Sequence, residues 1–158
     1  MDFEFSQEQL DFVDEVEAFL DEHDDPEVFD VTRENMAQIV DTPKRREFMA
    51  KLGEKGWLGI TWPTEYGGQE GEGTLEFLLN EALAYRGGPQ IGKGVGIIGK
   101  TLIRHGSEKL KREFLPKILV NDVEFAVGYS EPQAGSDAAA MGLKAEYDAE
   151  RKGWVLNG

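Results

Sequence analysis

The chain has no cysteine and only two histidines, His23 and His105, among its 158 residues. The lack of cysteine excludes disulfide bonds, thiolate catalysis and cysteine-ligated metal sites. The two histidines are far apart, and neither has a second histidine at the spacing of metal ligands. We therefore assign no metal site and no catalytic histidine. We expect His105, near a helix C-terminus, to interact with the final carbonyls of that helix.

Long apolar runs are also missing. No segment approaches the roughly 20 consecutive apolar residues that a membrane span requires. The N-terminus does not combine a basic start with an apolar stretch, as a signal peptide would. The sequence predicts a cytoplasmic protein that makes no membrane contact.

Basic residues are scarce at the start of the chain. Residues 1–41 contain 15 of the 31 acidic residues and a single base, Arg33, whereas acids and bases balance in the rest of the sequence. Clustered lysine and arginine residues bind nucleic acids and anionic lipids, so we expect neither as a partner. We interpret the acidic segment as a solvated helix face followed by a loop.

Apolar residues at helical spacing dominate the first three quarters of the chain. A first helix is predicted after Ser6, which forms a capping box with Gln9. Further helices are predicted to begin at Thr42-Pro43, Thr74, Gly94 and Ser107, and a weaker candidate covers residues 30–40. Phe48, Met49 and Leu52 are predicted to be buried in the helix after Thr42, and Pro116 to disturb the helix after Ser107. Residues 56–73 are too rich in glycine and proline for a regular element and too aromatic for a plain linker, so we predict a packed loop there.

The period of the apolar pattern changes after Asn121. Residues 124–129 suit a strand, and the alternation over residues 143–147 predicts a hairpin with residues 154–156. Asn157-Gly158 is itself a favoured hairpin turn, and a sheet of two or three strands is marginal alone. We therefore expect this chain to be part of a longer protein.

Residues 94–99 match the dinucleotide-binding pattern G-x-G-x-x-G. A Rossmann fold requires a β-strand directly before these glycines, but glycines and a proline break the preceding segment. We favour an interpretation in which the small residues allow two helices to approach closely. Dinucleotide binding remains the alternative.

The segment "YSEPQAGSD" (129–137) follows the predicted strand directly. Gly135 lacks a side chain, so a ligand can approach the backbone, and Ser130, Ser136 and successive N–H groups offer donors. Such a turn suits a phosphate or the polar edge of a ring. The alternative is a turn that satisfies itself, with Asp137 bonding its own backbone.

The longer segment "FAVGYSEPQAGSD" closely resembles the flavin-binding signature of the acyl-CoA dehydrogenases. "GWLGITWPTEYGGQ" looks like the aromatic-glycine loop of that family. "HGSEKLKREFLPKILVNDVEFAVGYSEP" is similar to its helix-to-strand passage, and "GWVLNG" to the strand before its second flavin motif. Together these stretches cover essentially the whole chain in the family's order.

The resemblance implies an α+β fold. Residues 1–122 would form the N-terminal all-α helical bundle, and residues 123–158 the beginning of the middle antiparallel β-barrel domain. In the family a third, helical domain follows and carries the catalytic glutamate. No catalytic residue is therefore assigned in this chain, and Glu131 is given a structural role in its turn.

The resemblance also implies FAD as the cofactor and an acyl-CoA thioester as the substrate. Members of the family form the trans-2-enoyl-CoA, with electron-transferring flavoprotein as the expected electron acceptor and a homo- or hetero-tetramer as the expected assembly. Six residues are carried over as cofactor contacts: Val127, Gly128, Tyr129 and Ser130 at the flavin ring, and Gly135 and Ser136 at the pyrophosphate. Ser136 would also lie close to the bound acyl-CoA.

Two alternatives stay open within this architecture. Acyl-CoA oxidases and nitroalkane-oxidising relatives differ in how the reduced flavin meets oxygen. A non-catalytic subunit of a heteromeric dehydrogenase would contribute only half of a site. We expect the 158-residue chain alone to be inactive and to hold FAD weakly if at all.

Overall fold

The computed structural model of the protein describes residues 4–32 and 42–158. The chain forms two compact units, Met1–Phe125 and Ala126–Gly158. The described part of the first unit contains the helices α1 (Gln7–Glu22), α2 (Pro43–Glu54), α3 (Gly73–Tyr85), α4 (Lys100–His105) and α5 (Glu108–Leu119). The second unit contains the strands β1 (Lys144–Asp148) and β2 (Gly153–Asn157). The predicted fold class, helices first and antiparallel strands afterwards, is confirmed. The predicted domain boundary after residue 122 stays a prediction.

The capping box predicted at the start of α1 is present. The Ser6 hydroxyl accepts from the Gln9 amide at 3.3 Å, and the Ser6 amide donates to Gln9 Oε1 at 3.0 Å. These bonds satisfy donors that would otherwise lack partners at the first turn. The helix ends at His23, whose Nδ1 lies 2.8 Å from the Phe19 carbonyl oxygen. The structure thus places at His23 the helix-terminal contact that we expected of His105.

Helix α2 begins as predicted, with Pro43 at its first position and the Thr42 hydroxyl accepting from the Arg45 amide at 3.2 Å. Its buried face includes the three predicted residues Phe48, Met49 and Leu52. Gly56 follows the helix with φ +75°, a conformation that glycine adopts without strain. The weaker helix candidate over residues 30–40 falls mostly outside the described residues.

The glycine-rich segment 56–73 is packed into the core, as the sequence predicted. It contains two short 3₁₀ turns, Trp57–Gly59 and Thr64–Tyr66. Trp57, Ile60 and Trp62 are all buried. The backbone folds so tightly that a Cβ atom on Gly68 would lie 2.1 Å from the Trp62 carbonyl oxygen.

The glycine pattern at residues 94–99 forms a π-helical turn, Gly94–Gly99, which continues directly into α4. No strand precedes it in the described segment 42–93, so the Rossmann interpretation is wrong. Gly94 lies against Ile118 of α5, and a Cβ atom there would be 3.5 Å from that side chain. Gly99 instead lies against the Trp62 ring. Gly94 therefore allows the close approach of α5, and Gly99 allows the close approach of the packed loop.

Helix α5 continues for three residues beyond Pro116, although the sequence predicted a disturbed ladder there. Leu115 and Ile118 are buried on either side of the proline, so packing holds the backbone where one hydrogen bond is lost. One core cluster joins the helices and the loop. Its largest fully buried side chains are Val16, Leu20, Leu52, Leu58, Ile60, Trp62, Leu79, Leu83 and Leu115.

The second unit is built around the predicted hairpin. The strands β1 and β2 are antiparallel, with Tyr147 opposite Trp154 and Ala145 opposite Leu156. These four residues share one face, on which Tyr147 and Trp154 make an edge contact at 5.5 Å. The predicted strand at residues 124–129 is not formed. Those residues carry no regular structure because no described strand pairs with them.

Candidate flavin-binding turn

The segment 129–137 is organised by a small closed turn. Glu131 and Ala134 exchange two backbone hydrogen bonds, from the Glu131 amide at 2.9 Å and from the Ala134 amide at 3.1 Å. Ala134 is the buried residue of this turn. The backbone groups of Glu131 and Ala134 are paired with each other, so the turn uses none of the backbone amides before Glu131 or after Ala134.

The Glu131 carboxylate anchors the turn to the start of the hairpin. It accepts hydrogen bonds from the amides of Gly142 and Leu143, both at 2.7 Å, and from Gln133 Nε2 at 2.5 Å. Bonds from amides to a carboxylate are stronger than bonds between neutral groups. This geometry agrees with the structural role that we assigned to Glu131, since its oxygens are occupied by the protein itself.

The residues that the sequence singled out flank this anchored turn. Within the described chain, no hydrogen bond is formed by the backbone amides of Val127, Gly128, Tyr129, Ser130, Gly135 and Ser136. All six are exposed or half-buried, and the Tyr129 side chain is 62% exposed. A Cβ atom on Gly128 or Gly135 would meet nothing within 4 Å, so a ligand could approach the backbone at both positions.

The alternative of a self-satisfied turn is realised only in part. The Asp137 carbonyl accepts from the Ala140 amide at 3.1 Å, but the internal anchor is Glu131 rather than the Asp137 side chain. The unpaired amides on both sides of the anchor are available as donors to an anion or a polar ring edge. In the described part of the chain, no group of three or more histidine or acidic side chains could hold a metal ion.

A second polar cluster lies in the first unit and joins α3, the packed loop and α4. Glu76 accepts from the Thr61 hydroxyl at 2.5 Å and from Lys100 Nζ at 2.8 and 3.0 Å. Partial burial opposes ionisation of Glu76, but the bonds from Lys100 and Thr61 outweigh it and lower the pKa of this carboxyl below its usual value. The sequence did not indicate this cluster, because its members lie 15 and 24 residues apart.

The family-model comparison covers most of the chain. Residues 6–122 match the model described as acyl-CoA dehydrogenase, N-terminal domain. The chain belongs to the acyl-CoA dehydrogenase family. The match confirms the resemblance that the sequence motifs indicated.

Two curated relatives show how far the similarity extends. Mitochondrial isovaleryl-CoA dehydrogenase from Pongo abelii is 37% identical over 159 residues, which cover 97% of this chain and 35% of the relative. Acyl-CoA dehydrogenase FadE26 from Mycobacterium tuberculosis is 36% identical over 113 residues, which cover 72% of this chain and 28% of the relative. The chain therefore spans about a third of the length of these relatives.

Solved structures agree with the fold. The ChsE4-ChsE5 complex from Mycobacterium tuberculosis matches with a TM-score of 0.81 and 29% identity, covering all of this chain and 39% of that chain. An acyl-CoA dehydrogenase complexed with FAD from Bacillus anthracis matches with a TM-score of 0.66 and 25% identity, covering 98% of this chain and 26% of that chain. Both similarities run through the helical unit and into the hairpin unit. Within residues 4–32 and 42–158, no helix has the length and apolar character that crossing a bilayer requires.

Proposed function

We propose that the protein containing this chain is an FAD-dependent acyl-CoA dehydrogenase, and that residues 127–136 form part of its flavin site. The observation that carries the proposal is the set of unpaired amides on both sides of the Glu131 anchor. A matching structure is complexed with FAD, which supports the choice of cofactor.

The donors fit the two polar regions of FAD. Val127, Gly128, Tyr129 and Ser130 offer amides, and Ser130 a hydroxyl, to the polar edge of the flavin ring. Gly135 and Ser136 offer amides to the pyrophosphate, because glycine removes the side chain that would obstruct it. When bound, FAD supplies the hydride acceptor for the oxidation of an acyl-CoA thioester to its trans-2-enoyl product.

The chain's own residues hold and orient the cofactor in this proposal and do not move the substrate proton. Glu131 is unsuited to that step, since three hydrogen bonds already occupy its carboxylate. Ser136 would lie close to the bound acyl-CoA. We infer that the base belongs to another part of the protein, so the 158-residue chain alone is inactive and holds FAD weakly.

The proposal is tested with Gly135→Val in the protein that contains this chain. A Cβ atom at residue 135 would meet no protein atom within 4 Å, so we expect the fold to be retained while the side chain restricts access to the neighbouring amides. We expect FAD affinity to fall at least about tenfold and the yellow absorption of the purified protein to be lost. Gly73→Val is the matched control, because that position is equally open and lies in the helical unit. Unchanged FAD binding by Gly135→Val would contradict the proposed site.

Electron-transferring flavoprotein is the electron acceptor that we propose. Mixing the reduced protein with that acceptor, and separately with oxygen, distinguishes a dehydrogenase from an oxidase. Reduction of the flavoprotein with little oxygen consumption is the expected result. Rapid oxygen consumption would instead favour the oxidase.

A second candidate function is favoured by the similarity to the ChsE4-ChsE5 complex. Under this second candidate, the protein would be one component of a hetero-tetramer and would contribute part of an active site. Native mass measurement of the protein alone and with a co-expressed second family member separates this from a homo-tetramer. FAD uptake only in the mixed complex would support the second candidate.

A further inference from the structure

The first unit contains an open cleft of about 640 Å³ that the flavin proposal does not use. One wall is the end of the packed loop, with Trp62 and Pro63, and the other is the face of the π-helical turn and α4, with Ile97 and Ile103. The volume lies within the range of small-molecule sites, which are mostly apolar with a few placed polar groups.

The charged groups of the cleft are all basic, although the chain carries a net charge of −14. Lys100 is neutralised by Glu76, which binds it through both carboxylate oxygens. Arg104 also lines the cleft, and within the described chain no acidic group pairs with it. One unpaired guanidinium therefore stands beside an apolar surface, and its planar fork suits a carboxylate.

A second unsatisfied group lies in the wall of the cleft. The Trp62 side chain is 1% exposed, and its indole N–H has no hydrogen-bond partner among the described residues. Buried donors without partners are uncommon, because each one costs free energy that a partner would recover. Because Trp62 lines the cleft, a ligand bound against its ring would alter the surroundings of this N–H group.

The size of the cleft depends on a position that lacks a side chain. Gly96 lines it, and a Cβ atom there would meet nothing within 4 Å. Gly99, three residues later, is already filled by the Trp62 ring. A Cβ atom at residue 96 would therefore displace no protein atom, and a longer side chain there would start from the wall of the cleft.

We propose that this cleft binds an amphipathic carboxylate, with the apolar body against Trp62, Pro63 and Ile97 and the carboxylate at Arg104. A monoanion is favoured over a phosphate, since phosphate carries nearly two charges and a single guanidinium is unpaired. The proposal goes beyond the flavin function. Its ligand is a free acid rather than a CoA thioester, and its site requires no cofactor.

The test measures binding of decanoate and of decanol, which has the same chain without the charge, to the purified protein. The readouts are titration calorimetry and the assigned indole N–H resonance of Trp62. We expect decanoate to bind at least about threefold more tightly than decanol and to shift that resonance. Absence of decanoate binding below its micelle concentration would overturn the proposal.

Two variants locate the site, and each has a matched control. Gly96→Leu places a side chain at the wall of the cleft and should weaken decanoate binding at least about tenfold. Residue 92 is equally open but does not line the cleft, so Gly92→Leu should bind as before. Arg104→Gln should reduce decanoate affinity to that of decanol, whereas Arg112→Gln on α5 should leave it unchanged.

The variants also distinguish this site from other apolar surfaces. Decanoate that binds equally well to Gly96→Leu must lie elsewhere, for example on the exposed face of the hairpin, and the proposal would be wrong. An unaltered preference for decanoate over decanol in Arg104→Gln would also contradict it. Thermal unfolding of each variant confirms that the fold is retained, and FAD binding, measured separately, does not enter the result.

Discussion

Gly96 and Gly99 lie three residues apart in the same π-helical turn, but their surroundings are opposite. A Cβ atom on Gly99 would be 2.0 Å from Trp62 Cζ2 and 2.3 Å from Cη2, whereas one on Gly96 would meet nothing within 4 Å. Ordinary contacts lie at 3.4–4 Å, so Gly99→Ala requires the Trp62 ring to move by more than an ångström. The ring lines the cleft but is only 1% exposed, so a movement of that size breaks the core contacts that bury it.

The magnitude follows from two contributions. Replacing a helical glycine by alanine stabilises the backbone by about 0.5–1 kcal/mol, and this gain is common to both variants. Overpacking a well-filled core costs about 1–3 kcal/mol and applies to Gly99→Ala alone. The difference in unfolding free energy between the two variants should therefore be about 1–3 kcal/mol.

Urea unfolding followed by tryptophan fluorescence measures this difference directly, with thermal unfolding as a second assay. We expect Gly96→Ala to be as stable as the parent or slightly more so, and Gly99→Ala to unfold about 3–12 °C below Gly96→Ala. The Trp62 emission should change in Gly99→Ala only. Equal stability of the two variants would refute the close packing of residue 99 against the ring.

Three further predictions concern polar contacts. Because the pKa of Glu76 is lowered, its carboxylate contributes to stability above the usual glutamate pKa of 4.5, and this contribution is lost as the pH falls below that value. Glu76→Gln should therefore flatten the dependence of stability on pH between about pH 5 and pH 3. An unchanged profile would exclude a stabilising role for the Glu76–Lys100 pair. Glu131→Gln replaces the carboxylate, whose two oxygens accept from the Gly142 and Leu143 amides, by a neutral amide with one acceptor oxygen. We expect the hairpin unit to be destabilised by about 1–3 kcal/mol, which is measured as faster amide exchange at Gly142. Exchange at the parental rate would contradict this expectation. Arg86→Gln breaks the ion pairs that join the end of α3 to α1. Because the acidic partners Glu17 and Asp21 are exposed, the change should lower the unfolding free energy by only about 1 kcal/mol in urea titrations. A loss above about 3 kcal/mol would show that the pairs are effectively buried.

Local signals in the sequence were sufficient for several elements. The capping box at Ser6 supplies hydrogen-bond partners for amides in the first helical turn, and the proline after Thr42 removes an amide that would lack one. Both signals therefore specify a helix start without tertiary contacts. The alternation over residues 143–147 likewise specified the hairpin, because strand pairing across a short turn is local. The motif at residues 129–137 likewise indicated the candidate site, which stays a prediction.

Other predictions failed where distant residues decide the outcome. The strand at residues 124–129 is not formed, since a strand needs a partner whose position the local pattern does not contain. Helix α5 continues past Pro116 because buried neighbours compensate for the lost bond. The contact expected of His105 is made by His23, where the ring also stacks on Phe19.

The sequence by itself determined the order of the helices and the hairpin, the starts of most helices and the family, because all three are recorded in short contiguous patterns. Only the tertiary structure decided which groups lack partners. Among residues 4–32 and 42–158, the unpaired amides around Glu131, the free indole N–H of Trp62 and the unpaired guanidinium of Arg104 depend on which distant atoms fold against them. Hydrogen bonds and ion pairs act over a few ångströms, so their presence follows from proximity in space rather than from proximity in the chain.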